Sequence, residues 1–181
     1  MKTRIALLAC IALASPLVFA APSSTEELSD VDMQIVAHLH AVNQLEIALG
    51  KLAEKNGTPP VKSYGQMLVK DHTASDVKVT AFAKQHKLIP IPADASMSEA
   101  DKTAMDAEKG KLAALKGTAF DQELLPMMVK AHDAELAKAD ANIKIANDPE
   151  LKIMLEDIKP VLQKHAEQAR SLEQPLRSSQ R

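Results

Sequence analysis

Four helix-forming segments each carry one ionisable residue where an apolar one belongs. Glu46 lies between Val42 and Leu49, His72 between Leu68 and Ser75, His132 between Met128 and Leu136, and His165 between Leu162 and Ala169. Offsets of three and four put each on the helix face that its neighbours bury. At about 1.5 Å of rise per residue, all four fall near mid-height of a bundle roughly 45 Å long, so their side chains can meet. Three neutral imidazoles and a carboxylate suit Zn, Fe, Mn or Cu. Asp71, Asp76, Asp133 and Glu135 are near enough in sequence to hold such ligands from behind. The same residues also suit a metal-free layer in which Glu46 accepts hydrogen bonds from the histidines, which satisfies groups that are costly to bury alone. Both readings stand.

Several chemistries are excluded or disfavoured. A carboxylate di-iron centre needs Glu-x-x-His on two helices, but Val69, Val129 and Leu162 stand three residues before the histidines. No Cys-x-x-Cys-His attaches a haem, no glycine-rich loop cradles a phosphate, and no serine or cysteine nucleophile motif occurs. No catalytic or cofactor-binding residue is assigned, and the chain reads as a non-enzyme. His38, His40 and His86 lie nearer helix ends and are expected to be solvated. Met67, Met127, Met128 and Met154 recur at helical spacing and are expected to fill core gaps.

The elements that must position the four residues follow from periodicity. Apolar spacing predicts a helix over 28–56, stopped by "NGTPP" with Gly57 as its C-cap. A second runs over about 60–87 and a third over 118–147. A fourth runs over 150–174, with Asp148 as N-cap and Pro149 at its first position. Pro126 and Pro160 sit inside the last two patterns and remove one backbone donor each. Between the two helix pairs, a proline-broken loop and a short helix near Ser98 make a link long enough to cross the bundle. Four helices with one long crossover is the ferritin-like plan, and a plain up-down-up-down bundle is the alternative. No internal repeat is evident at this level.

The first residues, "MKTRIALLACIALASPLVFAAPSS", have a positive start, an apolar run and a small-x-small site before Ala21. This is the anatomy of a secretory signal over 1–20. The alternative is an outer-membrane lipoprotein anchored through Cys10 in "LLAC". The expected mature chain has a flexible leader over 21–27, the bundle over 28–174 and a flexible tail over 175–181. Without Lys2 and Arg4, the 22 basic residues fall to 20 against 24 acidic, a mild net charge of −4. No basic cluster points to nucleic acid, and no apolar segment after the leader is long enough to span a membrane. Trp is absent and Tyr64 is the single Tyr, which disfavours stacking sites for bases or sugars.

Three stretches carry a resemblance: "EIALGKLAEKNGTPPVKSYGQMLVKDH", "GTAFDQELLPMMVKAH" and "DPELKIMLEDIKPVLQKHAEQA". They resemble a bacterial family of unknown function labelled "predicted outer membrane protein". Its pattern has a helix-one glutamate, Met-x-x-Asp-His, Phe-Asp with a later His, and Pro-x-x-x-x-His. Glu46, His72, Phe120-Asp121, His132, Pro160 and His165 match it, while Met67 is one residue too far from Asp71 and Leu68 takes its place. The resemblance implies an exported ferritin-like bundle and brings no activity with it. The expected function is a periplasmic, non-catalytic binding or stress-related module. The alternatives are a metal-binding or metal-dependent redox protein using the Glu/His layer, and a cell-envelope scaffold.

Overall fold

The computed structural model describes residues 27–178, the side chain of Asp101 excepted. The signal expected over 1–20, Cys10 within it and most of the leader lie outside the described residues. Among the described residues there are five helices: α1 Asp30–Asn56, α2 Pro59–Gln85, α3 Glu99–Ala114, α4 Thr118–Ile145 and α5 Pro149–Ser178. No strand occurs among the described residues, and no described helix is long and apolar enough to cross a membrane.

The helix ends have local causes. Ser29 caps α1, its hydroxyl accepting the Asp32 N–H at 3.1 Å and donating to the Asp32 carboxylate at 2.7 Å. Asp148 accepts the Leu151 N–H at 2.9 Å, and Pro149 follows as the first residue of α5. Gly57 does close α1, but at φ −72°, outside the left-handed region. A Cβ there would lie 2.7 Å from Val61 Cγ1, so crowding in the tight turn is what requires glycine. Pro126, Pro160 and Pro175 sit inside helices on exposed positions, where water can satisfy the carbonyls they leave unpaired. The last helix passes Pro175 and reaches Ser178, into the segment expected as tail.

The polarity of the bundle follows from its end contacts. The Gly117 N–H donates to the Asn56 carbonyl at 2.7 Å, so α4 starts beside the α1–α2 turn. Asp121 in the first turn of α4 accepts the Thr58 N–H at 3.2 Å and the Thr58 hydroxyl at 2.5 Å. At the other end, the Asn147 N–H donates to Asp32 at 2.9 Å, so the α4–α5 turn meets the start of α1. Hence α2 and α4 run parallel, and the segment between them crosses the whole bundle, carrying α3 over α1 and α4. The one-crossover topology holds, and up-down-up-down does not. Within the pairs, α1 lies along α2 and α4 along α5, while α2 against α5 and α1 against α4 close the ring.

The closest approach is between α1 and α2. A Cβ on Gly65 would lie 2.5 Å from the Gly50 carbonyl oxygen and 2.7 Å from Ala53 Cβ. Only glycine lets these two backbones pack so tightly. The apolar core comes in two blocks. One, near the α1–α2 turn, gathers Leu49, Leu68, Phe120, Leu124 and Met128. The other, near the α4–α5 turn, gathers Ile35, Leu39, Val79, Phe82 and Leu155. Between them lies a buried polar level made of Asn43, Glu46, His72, His132 and His165.

Candidate metal centre

The polar level brings three of the four expected residues together. His72 on α2, His132 on α4 and His165 on α5 are all buried, and one ring nitrogen from each lies within 4.8 Å of the others. The ring centroids of His72 and His132 are 6.0 Å apart, and each of these rings lies 5.2 Å from that of His165.

The outward nitrogen of every ring is occupied. His132 Nδ1–H donates to the Met128 carbonyl, one turn back on α4, at 2.8 Å. His165 Nε2–H donates to the Asp71 carboxylate at 3.0 Å. His72 Nδ1–H donates to Asn43 Oδ1 at 3.0 Å. Burial, with the neighbouring imidazoles of His165 and His132 adding to it, pushes His72 down to about 3. Burial pushes His132 down to about 4 against the opposing pull of the Met128 carbonyl. Burial also lowers His165, although Asp71 opposes it. All three are therefore neutral at pH 7, each with one proton, and that proton points outward.

Three lone pairs are left facing inward. His72 Nε2 is buried with no hydrogen-bond partner among the described residues. With the ring protons on the outward nitrogens, His132 Nε2 and His165 Nδ1 face each other at 3.3 Å as two acceptors. Bonds of about 2.0–2.1 Å at trigonal angles put ligand nitrogens roughly 3.5 Å apart. The His132–His165 pair is close to that spacing at 3.3 Å, and the three nitrogens together lie within 4.8 Å of one another. A carbonyl, a carboxylate and an amide oxygen behind the three rings are also the kind of outer partners that fix metal-bound imidazoles.

Glu46 does not join the triad. Among the described residues, the converging donors are the three imidazoles alone. Glu46 lies one turn along α1 from Asn43, buried, with Oε2 unpartnered. Burial and then the charge of Glu135 push it up to about 8, so it is a neutral acid at pH 7. The residue that reaches the triad from α1 is Asn43, which the periodicity reading passed over. Its signal was present: Asn43 and His72 are equidistant from the Gly57–Thr58 turn, so an antiparallel hairpin sets them level.

Of the four carboxylates expected behind the ligands, Asp71 alone hydrogen-bonds a triad ring. Asp76 pairs with His40 Nδ1 at 2.7 Å, Asp133 with Arg170, and Glu135 with His38 Nε2 at 2.9 Å. His38 is a correction to the sequence reading, for it is buried instead of solvated, and its Nδ1 bonds Asp94 of the crossover at 2.7 Å. His86 is another: its ring is 4 % exposed and packs on Phe82 at 4.4 Å. A repeat also becomes visible. Met67-Leu-Val-Lys-Asp-His72 and Met127-Met-Val-Lys-Ala-His132 have the same burial pattern on the two parallel helices α2 and α4.

A family model described as "Domain of unknown function (DUF4142)" matches residues 18–172. The chain belongs to this family. No curated protein matches the sequence. One solved structure, "CopM in the Cu(I)-bound form", superposes with a TM-score of 0.64 over 80 % of this chain and 96 % of that one, at 19 % identity. At that identity the likeness shows the fold alone. It places this DUF4142 member among helical bundles and leaves the site to be argued from its own atoms.

Proposed function

We propose that this DUF4142 chain is an exported, non-catalytic metal-binding module whose tightest ion sits between His72, His132 and His165, and that the ion is Cu(I). The observation that carries this reading is the convergence of three deprotonated imidazole nitrogens, each ring tied from behind, with His132 Nε2 and His165 Nδ1 opposed at 3.3 Å. Without a shared cation, two lone pairs repel across that gap.

The donor set favours a monovalent ion. All three ligands are neutral, and the charging penalty of a buried ion grows with the square of its charge. Imidazole suits copper, and three nitrogen ligands complete a trigonal Cu(I) centre. That a fold of this shape carries Cu(I) in CopM is consistent with the reading. Export is supported by the signal-like first residues.

Zn(II) is the second reading, and one feature favours it. A cavity of about 40 Å³ borders His72, Asn43, Asp71 and Glu135 and has room for one water, and Zn(II) takes a water beside three protein ligands. Anaerobic competition titrations with chromophoric chelators for Cu(I) and for Zn(II) separate the two. The expected result is a high-affinity Cu(I) site that His132→Ala abolishes, with weaker Zn(II) binding. X-ray absorption of the loaded protein should show three nitrogens at about 2.0 Å. No uptake of either metal, or uptake that His132→Ala leaves unchanged, would overturn the assignment.

A further inference from the structure

A second cavity, of about 190 Å³, lies beneath α3, where the crossover helix covers the α1–α4 seam. Its walls include Glu46 from α1, Met127 and Met128 from α4, and Met105 from α3. Leu49 and Leu112 add apolar surface, and the exposed Glu108 and half-buried Lys109 of α3 also line it, Lys109 being paired with Asp106 at 2.7 Å. Glu46 Oε2 is buried, with no hydrogen-bond partner among the described residues. A buried carboxyl oxygen left unpaired is costly to fold around, and a cation is one partner that would offset that cost.

We propose that this cavity is a second metal site, which takes a soft monovalent cation on the Glu46 carboxylate and the methionine thioethers. Thioethers select soft ions such as Cu(I) and Ag(I) over hard divalent ones. The Glu46 carboxylate balances one positive charge, and Glu108 and Lys109 in the lining offset each other. The surroundings hold Glu46 protonated near pH 7, and the incoming cation replaces that proton, which leaves to solvent. A purely apolar guest would leave the carboxyl unpaired and is the poorer occupant.

The position extends the triad reading. Glu46 lies one turn from Asn43, and Met128 lies one turn from His132, both towards the α1–α2 turn. The two sites are therefore about 5 Å apart along the bundle axis. The cover is light: among the described side chains of α3 only Leu112 is buried, and Met105 is half-buried. Met105 can thus meet an ion at the surface and carry it inward.

The test is an Ag(I) titration of the full mature chain carrying ¹³C-methyl methionine, with His ring resonances followed in parallel. The expected result is that the Met105 and Met127 methyls shift, while Met33 and Met154, outside the cavity, do not. The shifts should persist in His132→Ala, and their affinity should fall at least tenfold in Met105→Leu and in Glu46→Gln. Methyls that stay still while the His rings respond would overturn the second site and leave the triad standing. Shifts that vanish in His132→Ala, or that affect all methionines alike, would also overturn it. Methyl shifts without any His response would support this site and overturn the triad reading instead.

Discussion

His165 Nδ1 and His132 Nε2 stand 3.3 Å apart in the middle of the bundle, both acceptors when each neutral ring keeps its proton on the outward nitrogen. Each ring has committed its one N–H elsewhere, His165 to Asp71 and His132 to the Met128 carbonyl. Two acceptors held face to face lack one positive charge, either a proton or a metal ion. Burial disfavours the proton, since both histidines are lowered below their ordinary value. The behaviour of the protein follows from which cation fills that gap.

Asp71 decides which nitrogen of His165 faces inward. Asp71→Leu removes the carboxylate that accepts His165 Nε2–H, so the ring can place a proton on Nδ1 and block the ligand position. The expected loss in Cu(I) affinity is about 10–100-fold, the usual effect of removing such a partner. Asp71 is partly exposed, so the thermal midpoint should change little. A competition titration and a melting curve on the same sample check both halves. An unchanged affinity would mean that the triad is oriented by packing alone.

His72→Leu asks whether the layer serves binding or folding. The substitution replaces a ring whose Nε2 is already unpartnered, and it leaves Asn43 Oδ1 without its donor. The lost hydrogen bond costs roughly 1–3 kcal/mol and the added apolar contact offsets part of it. Helical content should therefore stay as in the unsubstituted chain while high-affinity metal binding disappears. Circular dichroism and metal analysis read the two outcomes. A variant that cannot fold would make the layer structural.

How far the sequence displays this site depends on depth along the axis. The three histidines stand out because a polar residue at three- and four-residue offsets interrupts an apolar stripe. Glu46 interrupts its stripe in the same way, so face alone groups it with them. Height separates it, for at about 1.5 Å per residue Asn43 is level with His72 and Glu46 is one turn lower. His38 misleads for a different reason. Its carboxylate partners, Asp94 and Glu135, are 56 and 97 residues away in sequence, and only the crossover brings them to its ring. The long helices were legible to within about four residues, because Gly57, Asp148 and Pro149 mark ends locally, whereas Ser29 was passed over and α5 runs through Pro175.

The metal-free protein should weaken in mild acid. His72 and His132 titrate near 3 and 4 in the folded chain, against 6.5 when unfolded. Above pH 6.5 both states are neutral there and the groups have no effect. Below it, the unfolded chain binds protons that the folded chain refuses, so stability falls as pH drops towards 4 and levels off near 3. The slope approaches about 1.4 kcal/mol per pH unit for each group. Urea midpoints measured with a chelator from pH 7.5 to 4 should fall, and His72→Leu should fall less steeply. Equal slopes in the two proteins would show that His72 takes no part.

His38 should act with the opposite sign on the crossover. Burial and, less strongly, the charge of Lys138 lower its pKa, but the hydrogen bond and charge of Glu135 and the hydrogen bond of Asp94 outweigh them and raise it above 6.5. Its contribution is complete below pH 6.5 and is lost as pH rises through the raised value. The contacts tie Asp94, in the crossover, to α1 and α4. Hydrogen-exchange protection around residues 88–97 should therefore decline on the alkaline side, and His38→Gln should remove that pH dependence. Protection that tracks pH equally in the variant would assign the effect to another group.

Gly65 sets the distance on which the α1 contribution to the site depends. Its missing Cβ leaves room for the Gly50 carbonyl oxygen, which would otherwise lie 2.5 Å from it, with Ala53 Cβ at 2.7 Å. Neither neighbour is the end of a flexible side chain, so Gly65→Ala must push α1 and α2 apart. Helix propensity favours alanine by about 1 kcal/mol, but overpacking a tight backbone contact costs roughly 1–3 kcal/mol. Net destabilisation is therefore expected, read as a lower urea midpoint. The separation also lengthens the 3.0 Å bond between Asn43 and His72, two turns away on the same hairpin, and frees the His72 ring to rotate. Cu(I) affinity should fall with stability in Gly65→Ala, whereas Gly110→Ala, where a Cβ meets nothing within 4 Å, should leave both intact or slightly improved. A Gly65→Ala protein that lost stability but bound metal as before would show that the histidines hold their positions without the hairpin's close approach.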